Sequence, residues 1–251
     1  MRTSNPYLTE AAIGKARREA STSDTQMTVA GTVNKILILL LVVAGCATLS
    51  WKYVTADTLV TTKRIMPLLT GGGIAAFVLS LIISFKPTSA PILAFPFAIC
   101  EGLVLGAGSA MYATAVYAEI VMHAVMLTFG TASAMFILWH TGVIVVTQRM
   151  RSIVASAFGA IFLVYLASFI LGFFGVEIPM IHGSGPIGIG FSALVVVICS
   201  FMLLVDFDMI ERMSNQGAPK SMEWFGAFAL LITLVWLYME FLRLLSKLRD
   251  D

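Results

Sequence analysis

The chain has 251 residues, 59% of them hydrophobic and 12% charged, with a formal net charge of +2 and a mean hydropathy of +0.92. Soluble domains carry roughly a quarter charged residues, so half that share, arranged as long uncharged runs, excludes an ordinary soluble domain and predicts an integral membrane protein. The small net charge and the lack of a basic cluster exclude a nucleic-acid partner; the partner this composition calls for is the lipid bilayer.

Residues 1–34 are polar and read as a mobile tail with a short helix over Leu8–Ala20. A secretory signal would place its apolar region nearer the start, so the first span is expected to be an uncleaved anchor. Residues 35–248 then form one transmembrane domain, with no room for a separate soluble one. A bilayer core takes about 20 apolar helical residues. The charge-poor runs predict spans over Ile36 to Val54, Ile65–Phe85, Ile92–Ala113, Ile120–Thr141, Ser152–Val176, Pro186–Val205 and Trp224–Leu245. With the N-terminus cytoplasmic, Arg2, Lys15, Arg17, Arg18, Lys35, Lys86, Arg149, Arg151, Arg212 and Lys220 lie inside. Lys52, Lys63, Arg64, Arg243, Lys247 and Arg249 lie outside. The excess favours that orientation. A re-entrant last run would bring the C-terminal three inside as well, so charge leaves the side of the C-terminus open.

Gly102, Gly106 and Ala110 recur every four residues on the third span, a spacing that lets helix backbones approach closely. Gly71, Gly72 and Gly73 mark either packing or a flexible point in the second. Cys46, Cys100 and Cys199 sit inside apolar runs without disulfide or metal spacing and read as small packing residues. Gly183-Ser184-Gly185-Pro186-Ile187-Gly188 matches a dinucleotide fingerprint by letter, but the apolar membrane-length run that follows excludes the βαβ unit it requires. Pro186 reads instead as a helix start. His182, Ser184 and His140 raise a distant alternative, an intramembrane serine hydrolase. His123 reads as a packed or interfacial residue, and the scattered histidines lack metal spacing.

The acids within the apolar runs need a reason, because ionisable groups inside a membrane are costly. Glu101 lies in mid-run on the third span, where a functional acid and a hydrogen bond to a neighbouring helix are both open. Asp206, Asp208 and Glu211 follow the sixth span; a solvated helix end suits Glu211 better than Asp206. Glu240 lies deep in the seventh, with Arg243 three residues on. Either these two form a local helical pair, or Glu240 faces the bundle interior. Two acids sharing such a site would titrate as a coupled pair and act as a pH-sensitive latch. The oxygens of Asp206, Asp208 and Glu240 would also suit Ca²⁺.

Leu237-Tyr238-Met239-Glu240-Phe241-Leu242 resembles the L-Y-x-acid-F-x signature of the Bax inhibitor-1/YccA-like family. Leu203–Glu211 (LLVDFDMIE) resembles that family's acid at the end of the sixth helix, and Glu101-Gly102-Leu103 its third-helix glycine region. The stretches TVNKILILLLVVAG, IHGSGPIGIGFS and GAPKSMEWFGAF look like a bacterial subgroup. The resemblance implies an all-α, seven-helix transmembrane bundle with the last helix central, in a bacterial cytoplasmic membrane. It also implies a pH-dependent calcium leak through paired acids on helices six and seven, aided by a basic residue after helix two. Carried over, the pair is Asp206 or Asp208 with Glu240, and the basic residue is Lys86. The chain departs from the family in carrying Glu rather than Asp on helix seven, and Lys, without the bidentate fork of Arg, after helix two. It departs also in a longer stretch between the acids, which places Asp206 nearer the turn than Glu240. The expected function is thus a pH-sensitive calcium or proton pathway, not an enzyme, with no cofactor beyond Ca²⁺ as the transported ion. The alternative is an interaction protein that regulates a membrane protease or stress response, docking through Lys15, Arg17 and Arg18 of the tail or the Arg149–Arg151 loop.

Overall fold

The structure, a computed structural model, describes residues 26–56, 62–115, 119–173, 183 and 185–249. Among these are seven helices long and apolar enough to cross a membrane: α1 (Val29–Thr55), α2 (Lys63–Phe85), α3 (Pro87–Ala113), α4 (Glu119–His140), α5 (Gln148–Gly172), α6 (Pro186–Asn215) and α7 (Met222–Arg249). Among the described residues the fold is all-α, one of the two architectures, helix or closed barrel, that satisfy a backbone within hydrocarbon.

The outer helices turn large apolar side chains outward, such as Leu41, Phe85 and Ile92. The last helix does the reverse: 67% of its most apolar stretch is buried, and no other helix exceeds 44%. It packs on α1, α3, α4 and α6, while Phe158 and Tyr165 of α5 stack around its Trp236. It is therefore the axis of the bundle, and Glu223, Thr233, Glu240 and Lys247 on it are buried.

α1 and α3 form the closest helix pair. A Cβ on Gly102 would lie 2.6 Å from the Val43 carbonyl oxygen, and one on Gly106 would collide with the Ala47 carbonyl. Ser50 Oγ then donates across the seam to the Leu103 carbonyl at 2.8 Å. This is the close approach that the four-residue glycine spacing predicts. Gly106→Leu is expected to wedge the pair apart and cost roughly 1–3 kcal/mol, read as a lower melting temperature in detergent. Gly130→Leu is the control, since open space surrounds that glycine. Cys46 and Cys100 are half-buried, Cys199 is buried, and all three are free thiols.

Several helix ends differ from the sequence expectation. α1 begins at Val29, so residues 29–34 belong to the helix and not to the tail. Thr28 caps it: its hydroxyl accepts the Gly31 N–H at 2.9 Å, satisfying a donor that a helix start leaves unpaired. The rest of the tail, including the helix expected over Leu8–Ala20, lies outside the described residues, as does the end of the fifth span towards Val176. α6 does not stop at Val205 but runs on to Asn215, because charge on one face does not end a helix. Gly217 ends it. With φ at 68° it takes the left-handed conformation, and the Ala218 N–H closes back on the Met213 carbonyl at 3.0 Å, a Schellman stop. Within α2, Leu68–Gly72 form a π-helical turn, and Gly72 packs on α3, where a Cβ would sit 2.9 Å from Val104 Cγ2.

Candidate functional site

α6 and α7 run antiparallel from the Gly217 turn, and two side-chain bonds give their register. Thr233 Oγ1 of α7 donates to Asp206 Oδ2 of α6 at 2.6 Å. Lys247 Nζ donates to Ser192 Oγ and to the Gly188 carbonyl, each at 3.0 Å. Two steps of seven residues, backward along α6 and forward along α7, lead from the first pair to the second. The level between them pairs Cys199 with Glu240, and Cys199 lies within electrostatic reach of both Glu240 and Asp206. Seven helical residues rise about 10 Å, so three polar levels follow one another along the axis of the bundle.

Glu240 is fully buried. Its Oε2 accepts from Arg243 Nη1 at 2.6 Å and from the Tyr165 hydroxyl of α5 at 2.9 Å. The Arg243 guanidinium lies over the Tyr165 ring, 4.5 Å from its centroid, and also hydrogen bonds Tyr112 of α3. Glu240 Oε1 has no hydrogen-bond partner. The i,i+3 pair with Arg243 and the inward-facing carboxylate, alternatives on sequence alone, are therefore both present. One oxygen of the carboxylate is neutralised and the other is buried without a partner.

Asp206 is 3% exposed and Asp208 7%, so neither is a solvated helix end, whereas Glu211 is exposed. Asp206 is held by Thr233, about 10 Å along α7 from Glu240. Asp208, two residues on and so on another face of α6, pairs with Arg212 at 2.8 Å and with Arg151 of α5 at 3.2 Å. The three acids expected to share a Ca²⁺ site therefore stand apart, and the described residues contain no cluster of three or more His, Cys, Asp and Glu side chains fit to hold a metal ion. The physical reason is the register: the α6 residue facing Glu240 is Cys199, not an acid. Thr233→Val would leave the buried Asp206 carboxylate without its donor. A loss of about 1–3 kcal/mol is expected, measured by thermal unfolding in detergent, with Thr233→Ser close to wild type.

Lys86 caps the end of α2, is exposed, and makes no ion pair with these acids among the described residues. The basic residues that pair with Glu240 and Asp208 are instead Arg243, Arg151 and Arg212. Glu101 is half-buried on α3, and neither a hydrogen bond nor an ion pair reaches it among the described residues. His123 and His140 are exposed, and His140 stacks on Phe136. His182 and Ser184 lie outside the described residues, as do Lys15, Arg17 and Arg18. Arg149–Arg151, expected in a loop, lie in the first turn of α5; Arg149 is exposed while Arg151 is engaged by Asp208.

One polar cluster had no counterpart in the sequence reading. Glu223, 1% exposed at the start of α7, binds Lys35 of α1 and accepts from the Thr28 backbone N–H and hydroxyl, each at 3.0 Å. The Met27 N–H donates to the Ala218 carbonyl at 2.7 Å, and Ser214 Oγ to the Met27 carbonyl at 3.2 Å. The first helix is thereby fastened to the α6–α7 turn. Acidic residues favour helix N-termini, which was the available signal for Glu223; its partner, 188 residues away in sequence, carried none.

The sequence profile of the family described as Bax inhibitor 1 like matches residues 5–250. Among curated proteins no match to the chain reaches significance. With seven apolar helices, a buried last helix and a profile match over nearly its whole length, the chain belongs to the Bax inhibitor 1 like family.

Proposed function

We propose that this protein is a pH-sensitive calcium leak pathway whose control element is Glu240 with its partners Arg243 and Tyr165. The observation that carries the reading is a fully buried carboxylate on the central helix with one oxygen ion-paired and the other unpartnered. Protonation of that carboxylate cancels the charge that holds Arg243. A cation is then left uncompensated inside the bundle, a costly state, and the Tyr165 link between α5 and α7 loses its anionic acceptor. Loss of that charge destabilises the closed packing. Asp206, about 10 Å further along the axis, offers a second oxygen donor to a passing Ca²⁺, which accepts carboxylate oxygens in flexible geometry. Asp208 with Arg151 and Arg212 lies beyond it, towards the α6–α7 turn.

Lys35, Arg151 and Arg212 gather at the end of the bundle that carries this turn. Under the positive-inside rule this clustering supports a cytoplasmic orientation for that end, and the proposal takes the membrane to be a bacterial cytoplasmic one. The test is calcium entry into liposomes that hold the purified protein, stepped from about pH 8 to about pH 6, on either side of neutrality. Flux that rises with acid supports the proposal. No flux above empty liposomes at any pH overturns it in favour of an interaction protein.

A further inference from the structure

A cavity of about 370 Å³ lies between α1, α3, α4 and α7, within the size range of small-molecule sites. Its long wall is α1 from Leu40 to Trp51, and its floor includes Leu234 and Tyr238 of the central helix. α1 and α4 flank it without packing on one another, so it is a cleft open to the side of the bundle. Ala44 and Thr48 of α1 and Phe129 of α4 are exposed at its rim. In a membrane-spanning chain that rim faces hydrocarbon.

The cleft has the wrong chemistry for a polar ligand. Thr48 Oγ1 donates to the Ala44 carbonyl at 2.8 Å and Thr128 Oγ1 to the Ala124 carbonyl at 2.7 Å. Ser109 Oγ and the Tyr238 hydroxyl bond each other at 2.7 Å. The two threonine hydroxyls and one of the Ser109–Tyr238 pair spend their donors within the protein, and the rest of the lining is apolar or aromatic, so water would find few partners there. Left empty, a void of this size would forfeit the dispersion contacts of its lining, the attraction on which helices in lipid depend. Its length also points to one occupant. Leu40 to Trp51 spans about 16 Å of helix, close to the roughly 15 Å depth of one leaflet's hydrocarbon. Trp51 stands at one end, as aromatic residues do at the membrane interface.

We infer that the cleft is a lipid site that takes one acyl chain of a bilayer phospholipid, from the leaflet bordering Trp51, laid against Tyr238 of the central helix. The site is independent of the ion reading: it would exist whether or not the protein conducts.

Native mass spectrometry of the full chain tests it. The protein is extracted in mild detergent, loaded with palmitoyl-oleoyl phosphatidylglycerol and washed. The wild type is expected to keep one phospholipid per chain. Ala44→Phe and Val125→Phe each place a ring in the cleft from a position that is not fully buried, and each should cut retention about tenfold. Ala167→Phe, on an exposed position of α5, should retain lipid as wild type does. Circular dichroism and elution volume confirm that each variant is folded. The inference is overturned if washed wild type keeps no lipid, if both cleft variants keep as much as wild type (annular lipid only), or if free palmitic acid or detergent is retained in place of phospholipid.

Discussion

Glu240→Gln is expected to abolish the pH response of calcium flux: the reconstituted variant should leak at one rate from about pH 8 to about pH 6, near the wild-type rate at the acid end. Gln keeps the volume and an acceptor for Tyr165 and Arg243 but cannot carry the charge. Arg243→Ala approaches the same pair from the other side. It strands a fully buried carboxylate, and removing one partner of a buried ion pair costs roughly 3–5 kcal/mol, to be read as a lower melting temperature. Combining the two substitutions removes both charges, and much of the stability should return. A wild-type pH profile in Glu240→Gln would remove this residue from control of the leak. An unchanged melting temperature in Arg243→Ala would show that the ion pair holds nothing.

Glu223→Ala is expected to be the most damaging change at the other end of the central helix. It removes the anion shared by Lys35 and by two donors of Thr28. Hydrogen bonds to charged groups are worth about 1.5–3 kcal/mol each, and Lys35, half-buried, is left beside a polar gap. A loss of roughly 3–5 kcal/mol is expected, with the start of α1 released from the α6–α7 turn. Hydrogen exchange should then rise at the amides of Met27, Thr28 and Gly31 and stay unchanged at the α1–α3 seam around Gly102 and Gly106. Glu223→Gln should fall between alanine and wild type, because it keeps an acceptor without the charge. Uniform exchange across α1 would show that the cluster does not act as a local fastening.

How far the sequence reaches differs between the spans and the site. The runs around Ile74, Val164 and Leu194 were legible because hydrocarbon admits so few charges that the gaps between charged residues mark the helices. The α1–α3 seam was legible for a similar reason: glycine every four residues on an apolar helix has little other use. The ends were less so. Asp206 looked like the end of a helix that continues to Asn215, while the stop itself, Gln216-Gly217-Ala218-Pro219, is written in turn chemistry.

Buried acids on the last two helices could be named from residue type alone, because a carboxylate within an apolar run must find a partner or a function. The identity of the partners on other helices could not. Asp206 meets Thr233, and Glu240 meets Arg243 and Tyr165, because the antiparallel register of α6 on α7 brings Cys199, not an acid, to the level of Glu240. That register depends on where Gly217 turns the chain and on how Lys247 docks against Ser192. Composition and charge spacing thus determined that this is a seven-span membrane bundle with costly acids near its end. The local pairs Glu240–Arg243 and Asp208–Arg212 lie within reach of sequence; the tertiary structure alone decided the contacts between helices, such as Arg151 with Asp208, Lys35 with Glu223 and Tyr165 with Glu240, since pairing inside a bundle is set by the rotation and axial offset of packed helices, quantities that no local stretch of sequence contains.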